Sequence, residues 1–407
     1  MTKVVVLIKS FSRASGGLAS SLDLVNAMAL VGVDVKIATT KRRPFTLLRT
    51  RVSDSSVLGS GKSLSLPVIW TARRGRPSRY LLRRKLHSYQ LQRGLRVGRL
   101  ARAIADADFV IDCAGLSTES IKALQTLHGT PIILHHNGSC QAFMESFLSL
   151  DRRGADWTLA RLLDPVERYQ FFLNTYDGAL FQAMDQQKEA EGFVKKNNKK
   201  YFSVTPSCTE VDILSLSNDQ PIAELSIGKN IAVIGSIQPR KQQSHAIEAF
   251  KAITDIAGDW HLHFIGGFED IEYFNQLDKQ VRDLGLSEQV HFWGHRTDYV
   301  RFLQQCDIVM QTSMAEGVSR VLREAMFARK PIISYAIPGT VSILSEGEAV
   351  LCEPNSLDEL SQGLRRLVVS SDLQAQLSSQ AYLRYLKQCS WSKYLCGIRD
   401  MVRYFAA

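Results

Sequence analysis

Two glutamates, Glu316 and Glu324, lie eight positions apart in the stretch DIVMQTSMAEGVSRVLREAMFARKPIIS (307–334). Gly317, Val318 and Ser319 follow the first. Val318, Val321, Leu322, Ala325 and Met326 then recur at helical spacing. The pair therefore brackets a helix start, whose unpaired backbone N–H groups and positive dipole end suit a diphosphate. Gly317 allows the backbone a close approach to such a ligand. From its loop, Glu316 can accept hydrogen bonds from sugar hydroxyls, and Glu324, further along, can reach a ribose. The plain alternative is a loop acid and a solvated carboxylate paired with Arg320.

The elements that must position these groups repeat a simple pattern. Apolar runs at 4–8, 35–39, 108–113, 131–136 and 178–183 alternate with helical stretches, and the pattern restarts at 231–236, 261–267, 290–294, 307–313, 331–336 and 349–353. Near-continuous apolar strands separated by helices predict parallel sheets. Two successive arrays predict an α/β protein of two doubly wound, Rossmann-like domains facing across a cleft at the carboxyl ends of their strands. A polar segment near 210–228 divides them, giving domains at 1–212 and 213–379, with a C-terminal helix at 380–407 packing back on the first. His135 and His136 end the strand PIILHH, where such a cleft would open. One of them orients an acceptor or a donor sugar, or both are half-buried strand-end histidines.

The 307–334 stretch resembles the retaining GT-B glycosyltransferases known as glycosyl transferases group 1. It shares their acid–Gly–hydrophobic helix start, the second Glu eight positions on, Glu-Ala-Met, and a Pro seven residues later. Arg329 stands where that family has Gly, which is expected to tighten the turn. IAVIGSIQPRKQQSHAIEAF (231–250) fits a second family pattern through Gly235, Lys241 and Ala249-Phe250, with Ser236 where Arg is usual and Arg240 as its substitute. The resemblance implies that Glu316 contacts the transferred sugar, Glu324 the ribose and Lys241 the diphosphate, as a point charge on oxygens that gain charge as the nucleotide leaves. A solvated loop lysine is the alternative for Lys241. The resemblance also puts Gly294, with His295 and Arg296, on the nucleobase side. Gly339 and Thr340 fall where further backbone contacts to the donor are made, and Gly16-Gly17 lies under the phosphates. The family's Asn-Gly is replaced by Pro206-Ser207-Cys208, with Asp212 downstream.

Composition narrows the remaining classes. The 407 residues are 45% hydrophobic and 22% charged, enough to bury two cores. No apolar run approaches the roughly 20 residues of a spanning helix, and the N-terminal Val4–Ile8 run reads as a buried strand of a cytoplasmic protein. Seven scattered cysteines show no metal spacing. Asp106-Ala-Asp108 imitates a metal-binding acid pair but precedes a strand, so no metal is expected. The net charge of +10 is concentrated: residues 1–110 hold 21 Lys/Arg against 5 Asp/Glu. Within 73–102 there are eleven Lys/Arg and no acid, with Leu82, Leu86, Tyr89, Leu91 and Leu95 at helical spacing. Such a helix suits a peripheral attachment to anionic lipid on the inner membrane face. A solvated face, a groove for a polyanionic acceptor and a nucleic-acid patch are its rivals, although no nucleic-acid motif accompanies it.

Together these features predict a retaining glycosyltransferase. It would move a sugar from a UDP- or GDP-linked donor to a glycan or lipid-linked acceptor, without an obligatory cofactor, in polysaccharide or glycolipid synthesis. A catalytically silent binding protein of the same fold and a nucleotide-sugar epimerase are the alternatives.

Overall fold

The structure is a computed structural model. It describes residues 1–8, 16–39, 68–70, 100–136 (apart from 103, 115 and 117), 138, 140, 164–194, 199–208, 222, 225 and 228–407. The basic stretch from 73 to 99 and the 209–221 segment containing Asp212 lie outside these residues.

The chain divides into two compact units, Met1–Pro206 with Tyr394–Ala407, and Ser207–Lys393. The crossover thus falls at 206/207 rather than at 212/213, and the chain returns at Tyr394 rather than at 380. The reason for the late return lies in helix Ser371–Gln388, whose Tyr385 ring sits 5.3 Å from Phe327 in the second unit.

The first unit holds strands β1 (Lys3–Ile8), β2 (Asp34–Thr39), β3 (Val68–Trp70), β4 (Phe109–Asp112), β5 (Ile132–His136), β6 (Gly178–Phe181) and β7 (Lys200–Ser203), in the order β3-β2-β1-β4-β5-β6-β7. Every pairing is parallel. Val5, Leu7, Val110, Ile132 and Leu134 form its core, against Ile121 and Leu124 of helix Thr118–His128. Gly16 and Gly17 open helix Gly16–Leu30. Helix Trp391–Ala406 closes the unit: Phe405 lies 5.8 Å from Phe109, and Tyr404 5.3 Å from Phe202.

The second unit repeats the design with β8 (Lys229–Ile234), β9 (Trp260–Ile265), β10 (Val290–Phe292), β11 (Ile308–Gln311), β12 (Ile332–Tyr335) and β13 (Val350–Cys352), ordered β10-β9-β8-β11-β12-β13 and again parallel. The strand order reverses between β8 and β11. The loops leaving those two strands lie at the switch point, the usual ligand position in a doubly wound sheet. Lys241 follows β8 and Glu316 follows β11, so the topology alone delivers both to the switch point.

Candidate active site

In the second unit the two switch-point loops are stitched together. Thr312 Oγ1 donates to the Lys241 carbonyl at 2.8 Å, and the Met314 N–H to the Arg240 carbonyl at 3.0 Å. Arg240 also donates to the Ala315 carbonyl. These rungs hold the tight 3-10 turn Pro239–Lys241 against the loop that carries Glu316.

Lys241 Nζ forms an ion pair with Glu316 Oε1, and Arg240 Nη1 lies 3.4 Å from the same oxygen. Burial of Glu316 disfavours its charge, but Lys241 and Arg240 outweigh burial and hold the carboxyl below its usual range. Glu316 is therefore an ionised acceptor between two cations. Gly235, at φ +154°, lies next to the lysine: a Cβ there would stand 3.5 Å from Lys241 Nζ, at ordinary contact distance.

Glu324 is 1% exposed on helix Arg320–Phe327. Its Oε1 accepts from Tyr299 Oη at 2.8 Å and from Arg320 Nε at 2.9 Å, while Oε2 has no hydrogen-bond partner among the described residues. Burial pushes this carboxyl upward, against the pull of Arg320 and Tyr299. The pairing with Arg320 matches the plain alternative, but the solvated setting does not, because the carboxylate is enclosed. An enclosed carboxylate oxygen without a donor costs about 1–3 kcal/mol or more, which favours a ligand hydroxyl as its missing partner.

Between the glutamates, Ser319 caps the helix by accepting from the Leu322 N–H and donates to Gln311 Oε1 at 2.6 Å. Val318 is buried. Gly317 passes directly over Gly339, where an added Cβ would lie 1.8 Å from the Gly317 carbonyl oxygen. Gly339 thus supports the Glu316–Gly317 loop by packing, and Thr340 is buried against Ser334 at 3.3 Å. Arg329 adopts φ +53°, the left-handed conformation a glycine would take, so the turn is preserved rather than tightened. Its guanidinium lies 3.9 Å over the Tyr382 ring.

Three glycines line up across adjacent strand ends. The Gly235 N–H donates to Ile265 O, and the Gly266 N–H to Gly294 O, both at 2.9 Å. A Cβ on Gly266 would strike the Gly235 carbonyl at 1.9 Å. Gly294, at φ +64°, faces the ring of Phe268. The three glycines form a backbone ledge, and Gly294 is the residue the family resemblance put on the nucleobase side. Arg296 does not line it freely: Asp298 binds it at 2.8 and 2.7 Å, and it lies over Trp293 and Phe302. His295 is exposed.

In the first unit the two strand-end histidines separate. His136 is fully buried, 3.0 Å from Tyr169 Oη and packed on Phe181, a core histidine. His135, at the penultimate position of β5, contacts Cys113 Sγ through Nδ1 at 3.2 Å. Burial pushes His135 down to about 4, so it is neutral at pH 7. Asp106 pairs with Lys3 and Lys36, and Asp108 accepts from the Lys3 N–H, fastening the amino ends of strands rather than a ligand. Among the described residues no group of three or more His, Cys, Asp or Glu could hold a metal ion, and no helix is long and apolar enough to cross a membrane.

Sequence reasoning missed Tyr299, Cys113 and Arg323. Arg323 is 1% exposed and donates to the carbonyls of Ser207, Val318 (3.3 Å) and Ser319 (3.3 Å), so it ties the start of the second unit to the helix start. A lone Arg beside Glu324 was visible in the sequence, but its three carbonyl partners were not.

Comparison with known proteins bears on this arrangement. Residues 220–384 match the family model described as Glycosyl transferases group 1. Over 150 residues the chain is 26% identical to the lipopolysaccharide glucosyltransferase WaaG of Escherichia coli, covering 36% of this chain and 39% of that protein. An uncharacterized glycosyltransferase of Haemophilus influenzae is 26% identical over 157 residues, 38% of this chain and 44% of its own length. The chain thus spans less than half the length of these curated relatives. Among solved structures, Anabaena HepE in complex with UDP and glucose superposes with a TM-score of 0.69 at 15% identity, covering 99% of this chain and 98% of that one. The crystal structure of WaaG gives 0.65 at 14% identity, covering 99% of each. The fold is GT-B.

Proposed function

We propose that the chain is a retaining glycosyltransferase that takes a sugar from a UDP- or GDP-linked donor, a reading supported by the match of residues 220–384 to the model of Glycosyl transferases group 1. The observation that carries this reading is Glu324: an enclosed carboxylate with one oxygen held by Tyr299 and Arg320 and the other unpartnered, on the helix that starts beside Lys241 and Glu316. A ribose diol supplies the donors that Oε2 lacks.

The residues divide the work. Arg240, Lys241 and the N–H groups at Ser319–Arg320 carry the diphosphate, and their charge counts most as the leaving nucleotide gains negative charge. A diphosphate that draws Lys241 away frees Glu316 Oε1 to accept sugar hydroxyls. The glycine ledge at 235, 266 and 294 receives the base, and the family resemblance assigns Gly16-Gly17 to the phosphates. His135, neutral, orients the sugar or the acceptor by hydrogen bonding. The acceptor hydroxyl attacks the face from which the nucleotide departs, which gives retention, and the departing phosphate takes the proton.

The acceptor is a glycan or a lipid-linked acceptor in polysaccharide or glycolipid synthesis. The basic 73–102 stretch supports attachment to the anionic inner face of a membrane, an inference from charge and spacing alone.

Thermal shift with UDP-, GDP- and ADP-sugars tests the reading. One nucleotide class should stabilise the protein, and Glu324→Ala should abolish that shift while the variant stays folded. Equal shifts in parent and variant, or none with any nucleotide, would overturn it in favour of a silent binding protein. Donor loss without an acceptor would point to an epimerase.

A further inference from the structure

β4 and β5 pair in parallel with Asp112 level with Leu134, so the next residues, Cys113 and His135, emerge side by side at the strand ends. Cys113 Sγ is 3.2 Å from His135 Nδ1. Ser21, buried on helix Gly16–Leu30, makes a side-chain hydrogen bond to the same thiol and acts in the direction expected of a donor to sulfur. Ser21 satisfies the sulfur as an acceptor, and the thiol proton is the donor within reach of Nδ1. A thiol that donates to Nδ1 needs a lone pair there, which puts the ring proton on Nε2.

The neighbours fit this order. Burial pushes the Cys113 thiol up to about 12 and the His135 imidazole down to about 4, so the pair is thiol and neutral imidazole at pH 7, not thiolate and imidazolium. Asp112 does not intervene: it accepts from the Ala114 and Leu116 N–H groups and from Tyr176 Oη, at 2.8, 2.8 and 2.9 Å.

We propose that Cys113 is a positioning residue that fixes His135 as its Nε2–H tautomer, so that His135 offers a hydrogen-bond donor to an oxygen of the sugar or acceptor and cannot act as a base at that nitrogen. This rests on His135 touching substrate, as proposed above. It also explains why the attacking hydroxyl finds no base here: a base at Nε2 would need that nitrogen unprotonated.

The test reads the tautomer directly. In protein labelled with ¹⁵N-histidine, one of nine histidines is assigned to position 135 by the signal lost in His135→Gln. The parent should show an unprotonated Nδ1 and a protonated Nε2. Cys113→Ala should give a mixture of tautomers, and Cys113→Ser, which keeps a donor, should restore the parent pattern. A protonated Nδ1 in the parent, or an unchanged tautomer in Cys113→Ala, would overturn the proposal whatever the turnover. UDP release from UDP-glucose separates the premise: a roughly tenfold fall in kcat in Cys113→Ala, recovered in Cys113→Ser, supports a role for His135 at the donor sugar. An altered tautomer with unchanged release would keep the pairing and remove His135 from the reaction.

Discussion

Arg323 and Glu324 are neighbours that solve burial in different ways. Arg323 gives its donors to three carbonyls, whereas Glu324 keeps one oxygen without a donor. Arg323→Met would strand buried carbonyls at about 1–3 kcal/mol each. Urea denaturation should show a loss of about 3 kcal/mol or more, and Arg323→Lys should recover only part, because one ammonium cannot copy the guanidinium fork. Glu324→Gln should do the reverse. Burial raises the Glu324 carboxyl, so its ionisation opposes folding as pH rises through that raised value. At pH 8 the variant should melt no lower than the parent while binding nucleotide about tenfold or more weakly. A third effect is acid lability. Burial pushes His136 and His263 down to about 3, so the unfolded chain takes up protons from about pH 6.5 downward and the folded chain does not. Melting temperature should fall from pH 6.5 toward 4, and His263→Gln should flatten that slope. Glu316, Lys241 and Glu324 could be singled out as candidates because each lies in a short contiguous motif. Cys113 was not, because its partner lies on another strand and only the register brings the two together.

At the scale of elements, what the sequence showed best was the run of buried parallel strands, since a strand covered on both faces is apolar along its whole length. β3 and β7 escaped notice: VIW has only three residues, and KYFS at the sheet edge starts with a lysine and is only partly buried. Arg329 shows a subtler limit. Its type argued for a changed turn, but the chain accepts a left-handed arginine and its guanidinium settles over Tyr382. The close approach of Gly339 to Gly317 could not be read either, because the residues lie on different loops. Gly339→Ala must displace the Glu316–Gly317 backbone. Calorimetric titration should show nucleotide affinity reduced about tenfold or more in a protein whose melting is still cooperative; unchanged affinity would mean that this loop does not hold the ligand.

At the scale of the whole molecule, the two-array reading anticipated two doubly wound units, but it could not fix the crossover, because a polar linker blurs where contacts change sides. Phe405, 4% exposed beside Phe109 and Phe202, belongs to the first unit although 187 residues of the second precede its return at Tyr394. Phe405→Ala should cost about 3–5 kcal/mol in the first unit, read as an earlier unfolding step, with nucleotide binding in the second retained. The same threading sets an order of birth. A growing chain presents most of the first unit to its surroundings well before the helix that seals it exists. All seven described strands of the first unit are made by Ser203, but its last helix follows the whole second unit, so on the ribosome the N-terminal half waits, incomplete and partly uncovered, for the C-terminal half to be finished.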